Sequence, residues 1–316
     1  MDREIVLECR RISHWFGANR VLFDINLKII RGEIVSLVGP SGCGKSTLLR
    51  AIVGTHPPCE GDVIMTSSTT GEGMIVKSPS RDCGIVYQHY SLFPFLTARE
   101  NVAIGPMLDR TTLSFRMFNF FKMRTLRNEL LAEADALLET LKLGKALNLY
   151  PHEMSGGMRQ RVAIAQALIM KPEILLLDEP FGALDEATRE ELQKMMLTLY
   201  SENCAAKDSG KQPLYTIIIV THELNEAIYV GDRVVALSQY WNWKEAGLDR
   251  SPGATIVYDQ MAPVYFSKQV RDFEIFLSQR QMIRKTAFEP DQPVNRNENV
   301  RFWDEINAGK GHGVLK

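Results

Sequence analysis

Short apolar stretches separated by tight turns run through residues 1–65 and predict strands. Arg3 to Cys9 is strand-like, Val21 to Ile30 alternates in part, and Glu33 to Val38 is an apolar run of strand length that ends in glycine and proline. The period then changes. Leu48, Leu49, Ile52 and Val53 fall at helical spacing, so Thr47 to Val53 predicts a helix. Thr66 to Ser80, rich in Ser, Thr and Gly, predicts a loop or hairpin. From Ala98 to about Leu149 the pattern is helical, with Leu130, Leu131, Ala134, Leu137, Leu138 and Leu141 on one apolar face. Gly156 to Met170 predicts a further helix, closed off by Lys171 and Pro172. Ile174 to Leu177 and Thr216 to Val220 are unbroken apolar runs, as expected of strands buried on both faces. Strands alternating with helices imply an α/β core, and the all-helical middle implies a helical insertion.

After about Leu237 the composition is mixed. Asp272 to Arg284 reads as a helix carrying Phe273, Phe276 and Leu277, and Glu289 to Lys316 is polar and expected to be extended or partly disordered. Whether Trp303 and Val314 dock onto the body is open at this level. The 316 residues fit one large domain with an appendage better than three domains. We place the main domain at 1–238, its helical subdomain at about 90–170, and a C-terminal extension at 239–316. With 45% hydrophobic and 24% charged residues the chain is too apolar to be disordered. A net charge of -1 supplies no global positive field to hold nucleic acid. No apolar stretch reaches the roughly 18 residues of a spanning helix. The start, MDREIVLECRR, lacks the apolar segment of a signal peptide, so export is not expected. Five dispersed cysteines without metal-type pairing point to reduced thiols in the cytosol.

Gly39-Pro40-Ser41-Gly42-Cys43-Gly44-Lys45-Ser46, followed by Thr47, matches the phosphate-loop pattern G-x-x-x-x-G-K-[ST] between a strand and a helix. Glycines let consecutive backbone N–H groups turn inward on phosphates. Lys45 supplies a point charge for the β- and γ-phosphates, the Ser46 hydroxyl suits Mg²⁺, and the helix N-terminus adds positive potential. Cys43 reads as filler in this loop, ahead of a redox-sensor alternative. Ile174 to Pro180 places Asp178 and Glu179 at the C-terminal end of a buried strand, where ligands of open α/β sheets sit. Asp178 suits a magnesium-holding aspartate, and Glu179 a general base for attacking water. Thr221-His222-Glu223 follows its strand in the same manner, and the imidazole of His222 could orient that water. The Gln88 amide suits the metal or the water. Ser155-Gly156-Gly157-Met158 opens a helix with a serine cap; on pattern alone a well-capped helix is the stronger reading.

In order along the chain, the phosphate loop, Gln88, MSGGM (154–158), ILLLDEP (174–180), GALD (182–185) and THE (221–223) resemble the motifs of ATP-binding-cassette ATPases over roughly residues 3–238. The resemblance implies a P-loop NTPase core of α/β class with an antiparallel β subdomain and an inserted α-helical subdomain. It also implies a head-to-tail homodimer that binds ATP and Mg²⁺ between one subunit's phosphate loop and the other's Ser155, Gly156, Gly157 and Met158. Phe16 falls at the adenine-stacking aromatic, with Trp15 an alternative, and Asp185 at the aspartate that contacts the opposite subunit. Glu179, His222 and Gln88 fall at the catalytic positions, Ser46, Gln88 and Asp178 at the metal. The fifth signature residue is Met158 where glutamine is common.

HWFGANRVL, GPSGCGKSTLLRAI, YPHEMSGGMRQRVAIAQAL and DEPFGALD look most similar to the nitrate/sulfonate/taurine class of bacterial importers. That class implies an ATPase subunit on the cytoplasmic face of the inner membrane, serving separate permease subunits and, through them, a solute-binding protein. A split exporter, or a soluble cassette acting on nucleic acid, are the competing readings; the second is disfavoured by the charge and by the single phosphate loop. Ser91 to Leu96 reads either as packing inside the helical subdomain or, given the family, as a groove for a short permease helix. Phe115, Met117, Phe118, Phe120, Phe121 and Met123, interleaved with Arg116, Lys122 and Arg124, read first as an apolar helix face and second as a contact with permease or lipid headgroups.

Overall fold

The computed structural model describes residues 3–68, 70–88, 91–112, 115, 119–182, 184–245, 247–263 and 273–315. The N-terminal third builds two sheets. Strands β1 (Ile5–Phe16) and β2 (Asn19–Ile30) form an antiparallel hairpin, later joined by β4 (Glu60–Thr66) and β5 (Gly73–Ile75) in the order β2-β1-β4-β5. The Ser/Thr/Gly-rich segment is thus a hairpin. Between these strands the chain dips into the second sheet through β3 (Ile34–Val38) and returns through helix α1 (Lys45–Val53).

The second sheet has the order β11-β10-β9-β3-β8-β7-β6. Its strands β6 (Cys83–Val86), β7 (Ile174–Asp178), β8 (Ile217–Val220), β3 and β9 (Arg233–Ser238) run parallel. Every residue of β3, β8 and β9 is buried, which accounts for their unbroken apolar runs: helices cover both faces, so no alternation is needed. Helices α2 (Ala98–Asp109), α3 (Phe120–Thr140) and α4 (Gly156–Leu168) form the inserted helical layer. Their core holds Val102, Leu130, Ala134, Leu138, Leu141 and Val162. The expected apolar face of α3 is therefore the one that is buried. Its α2 neighbour pins the preceding turn, because Asn101, fully buried, accepts from the Phe93 N–H at 2.8 Å and donates to the Leu96 carbonyl at 2.8 Å. Leu113, Ser114, Arg116, Met117 and Phe118, and the side chain of Phe120, lie outside the described residues, and with them most of the aromatic and basic stretch. Phe121, in α3, is 85% exposed.

Helix α5 (Glu186–Asp208) leads to β8, and α6 (Leu224–Val230) leads to β9. The helix expected over Asp272 to Arg284 is present, whereas Glu289 to Lys316, expected to be extended or partly disordered, forms a short strand and helices. Strand β10 (Thr255–Met261) pairs antiparallel with β9, and β11 (Asn299–Val300) pairs parallel with β10. Helix α7 (Phe273–Ala287) packs on α6 through Ile283 and Ala287, and α8 (Phe302–Asn307) buries Phe302 and Ile306 in the main core beside Val314 and Leu315. Four apolar side chains in a polar segment suffice, because each lands on the existing core and is removed from water almost completely. A fully buried Arg233 completes the join. It makes a bidentate pair with Asp259 (2.6 and 2.7 Å), donates to Glu33 at 3.1 Å and to the Lys28 carbonyl at 2.8 Å, and lies 3.6 Å above the Phe302 ring.

Candidate nucleotide site

The chemistry-bearing segments leave the C-terminal ends of four strands that lie side by side. From β3 the chain enters Gly39–Ser46, from β8 Thr221 and His222, from β6 Tyr87 and Gln88, while β7 ends on Asp178 itself. The register aligns them, with Leu37 opposite Val220, Val220 opposite Asp178, and Val86 opposite Leu177. One end of one sheet therefore collects groups that are far apart in sequence, from Gly39 to His222, at the place where open α/β sheets bind ligands.

The phosphate loop has the backbone that its glycines allow. Gly39 sits at φ +154°, and a Cβ there would fall 2.3 Å from the Leu237 carbonyl and 2.8 Å from Cys43 Sγ, so only glycine fits. Cys43 is buried beneath the loop, and burial pushes its thiol up, away from the reactive thiolate. This gives it the filler role. Lys45 Nζ points into the turn, donating to the carbonyls of Gly39 at 2.7 Å and Pro40 at 3.1 Å. Helix α1 starts at Gly44 with no side chain capping its first turn, which leaves those N–H groups for an anion. Ser46 is exposed and Thr47 half-buried behind it.

Opposite the loop, burial and the adjacent Glu179 charge raise the Asp178 carboxyl, while Arg50 and Lys45 act in the other direction. A half-buried carboxylate whose ionised form is disfavoured is a good seat for a cation. The Ser46 hydroxyl, the Asp178 carboxylate and the Gln88 amide oxygen are each hard oxygen donors of the kind that suits Mg²⁺. Among the described residues no group of three or more His, Cys, Asp or Glu side chains gathers as a metal site. Magnesium shared with phosphate oxygens does not need one. Glu179 holds a left-handed backbone at φ 48°, rare for a residue with a side chain, and its N–H is tied to the Val220 carbonyl at 2.9 Å. The carboxylate meets His222: Nδ1 lies 3.3 Å from Glu179 Oε1. A Cβ built on Gly182 would fall 3.8 Å from both Gln88 Nε2 and Glu179 Oε2, so the amide and the carboxylate flank the same glycine.

The other expected site residues have surroundings of their own. Phe16 is 49% exposed at the end of β1, its ring edge-on to His14 at 4.7 Å, and Trp15 lines a neighbouring cavity of about 300 Å³. Ser155 caps α4, accepting from the Met158 N–H at 3.3 Å. Gly157 is packed against α5, where a Cβ would fall 1.7 Å from Thr188 Cγ2, so packing within the subunit is reason enough for that glycine. Among the described residues no hydrogen bond or ion pair joins 155–158 to the strand-end groups. Asp185 caps α5, and bonds from the Thr188 N–H and hydroxyl hold its carboxyl below the usual range. Ala183, inside the GALD turn, lies outside the described residues. Two features escaped the sequence reading: the contacts of Thr221 with Glu226, and the Arg233 cluster, which assembles Glu33, Arg233 and Asp259 from three distant segments.

The profile of the family described as ABC transporter matches residues 22–182, more than half of the chain. The chain belongs to the ABC transporter family. It is 36% identical over 291 residues to a sulfate/thiosulfate import ATP-binding protein of Synechocystis sp., covering 92% of this chain and 73% of that protein. It is 39% identical over 215 residues to a nitrate import ATP-binding protein of Synechococcus elongatus, covering 68% of each. Against a sulfate/thiosulfate import ATP-binding protein of Pectobacterium atrosepticum it is 38% identical over 74% of its own length, and spans 64% of the length of that relative. Among solved structures, a dimeric ATP-binding cassette in a post-hydrolysis state, bound to ADP and Pi, superposes with a TM-score of 0.58 at 28% identity, over 82% of this chain and all of that one. The fold of this ABC transporter family member is thus the ATPase cassette that its motif order implies.

Proposed function

We propose that the chain is the ATP-binding and ATP-hydrolysing subunit of an importer, working with Mg²⁺ as a head-to-tail homodimer against separate membrane permease subunits. The observation that carries this reading is the meeting of the Glu179 carboxylate and the His222 imidazole at 3.3 Å, just past the ends of β7 and β8, of which β8 lies next to β3, the strand that feeds the phosphate loop. The loop N–H groups and Lys45 bind the phosphates of ATP. The oxygen set of Ser46, Asp178 and Gln88 would hold Mg²⁺, which when bound offsets charge developing on the phosphate oxygens. Glu179 accepts a proton from the attacking water, the bond from the γ-phosphorus to the bridging oxygen breaks, and ADP and phosphate result. His222 orients the water and Glu179; a general base of this kind contributes about 10²–10⁴ in rate.

The homodimer follows from incompleteness. Among the described residues no hydrogen bond or ion pair joins Ser155 to Met158, or Asp185, directly to the strand-end groups, and a second copy facing head to tail would bring them there. The dimeric neighbour bound to ADP and Pi supports the pairing of two copies. Phe16 would stack on adenine, with Trp15 the alternative. For the permease, Phe93 is 41% and Phe95 70% exposed on the turn that Asn101 pins, next to a cavity of about 160 Å³ lined by Leu96, Ile104, Met107 and Leu130. An apolar helix end fits such a surface. Membrane association would be peripheral, through that partner; among the described residues no helix is long and apolar enough to cross a membrane. The deciding experiment is Glu179→Gln. It should bind ATP, lose most turnover and accumulate as a dimer with MgATP on sizing; hydrolysis at the unmodified rate would refute the assignment.

A further inference from the structure

Behind His222 runs a line of polar contacts. The Thr221 hydroxyl, buried at the end of β8, donates to Glu226 Oε2 at 2.8 Å and accepts from the Glu223 N–H at 3.1 Å. Both chain neighbours of His222 are thereby tied to one hydroxyl, which fixes the turn that presents the imidazole. The other carboxylate oxygen, Glu226 Oε1, lies 3.5 Å from Nε of Arg189 in the first turn of α5. Arg189 Nη2 in turn donates to the Leu184 carbonyl at 3.3 Å, one residue before Asp185. A contiguous path therefore joins the Asp185 loop to His222. Glu226 is 7% exposed, and burial raises its carboxyl against the opposing effects of Thr221 and Arg189. A carboxylate is a costly way to fill buried space, so its two directed contacts are what it adds.

We propose that Glu226 and Arg189 are positioning residues that hold the His222 turn against Glu179 and couple it to the Asp185 loop. The proposal rests on the reading of Glu179 and His222 as the hydrolytic pair. Under it, a second copy that moves the Asp185 loop also moves Arg189 and Glu226, so assembly of the dimer sets the imidazole at the far end. Binding of ATP does not depend on this line, because the phosphate loop hangs from β3 and none of these contacts touches it.

The test uses the full chain with MgATP, with kcat normalised to the ATP-binding fraction. Thr221→Val keeps shape and removes the hydroxyl; Thr221→Ser keeps the hydroxyl. Glu226→Ala removes the acceptor; Glu226→Gln keeps a carbonyl oxygen. Thr221→Val, Glu226→Ala and Arg189→Met should each lower kcat about 10- to 100-fold, the range that a misplacement near 1 Å produces, and leave KM for ATP within about twofold. Thr221→Ser and Glu226→Gln should stay within about threefold of the parent, and the Thr221→Val, Glu226→Ala double variant should be no slower than the worse single one. A purely structural role would lower thermal stability and yield and leave the normalised kcat unchanged. Parent-like kcat in Thr221→Val, or equal losses in Thr221→Ser and Thr221→Val, overturns the proposal. Glu179→Gln and His222→Ala, assayed alongside, separate the two failures: if both are inactive while Thr221→Val is normal, positioning alone falls, and if both hydrolyse normally the hydrolytic reading falls with it.

Discussion

Replacing Arg233 by methionine tests how the C-terminal segment is held. The guanidinium is fully buried, makes two bonds to Asp259, one to Glu33 and one to a backbone carbonyl, and lies over the Phe302 ring. Methionine keeps much of the apolar stem and removes every one of these bonds, which leaves two buried carboxylates facing each other without their cation. Breaking a buried pair from one side costs about 3–5 kcal/mol. Two acids are orphaned here, so the upper part of that range applies, a large share of the roughly 5–15 kcal/mol that stabilises a domain. In a chain of this size that is a fall in Tm on the order of 10 °C. Urea denaturation followed by tryptophan fluorescence measures it, since Trp303 lies on the helix that the cluster anchors. The Arg233→Met, Glu33→Gln, Asp259→Asn triple variant removes the unpaired charges and should recover a good part of the loss. A single variant within about 1 kcal/mol of the parent, or a triple variant no better than the single one, would show that the cluster is not held as described.

Three further outcomes follow from other sites. Asp232 is fully buried with Oδ1 accepting from the Ile34 N–H at 3.0 Å, and burial together with Glu33 pushes its carboxyl well above the ordinary value. The folded state then binds more protons than the unfolded one, so stability falls as pH rises from about 3.9 toward the raised folded value; Asp232→Asn keeps the acceptor, and urea titrations at several pH values should show a shallower decline. Gly157→Ala places a Cβ 1.7 Å from Thr188 Cγ2 and should cost about 1–3 kcal/mol; Thr188→Ser in the same chain should return part of it, and additive effects in thermal melts would count against the contact. With all thiols reduced, a maleimide should label exposed Cys59 first and leave buried Cys9, Cys43 and Cys83 unmodified until the chain is denatured, as intact-mass readings would show.

The α/β core was legible because its strands are buried on both faces, so β3, β7 and β8 stand out as apolar runs however the sheet is ordered. The phosphate loop was legible because its residue types answer to a backbone requirement. The helix near Asp272 to Arg284 was legible, but the docking of 289–316 was not, because its polar residues outnumber the few apolar ones that dock, and composition averages over both. Asp259 and Arg233 could not be paired in advance, since an ion pair between neighbouring antiparallel strands depends on a register that includes a bulge. Glu226 carries no local signal: a glutamate four residues beyond a histidine reads as a solvated helix residue until the fold buries it.

Gly157 and Asp185 meet at one place, the opening turn of α5, where Thr188 is pressed by the first and bonded by the second. The segments that we assign to the seam between copies are therefore not two independent fingers. Under that assignment each copy would offer its neighbour a single preassembled facet, its two parts joined through Thr188. Engagement would then be all or nothing: a misaligned approach that satisfied one part while missing the other has no geometry available to it.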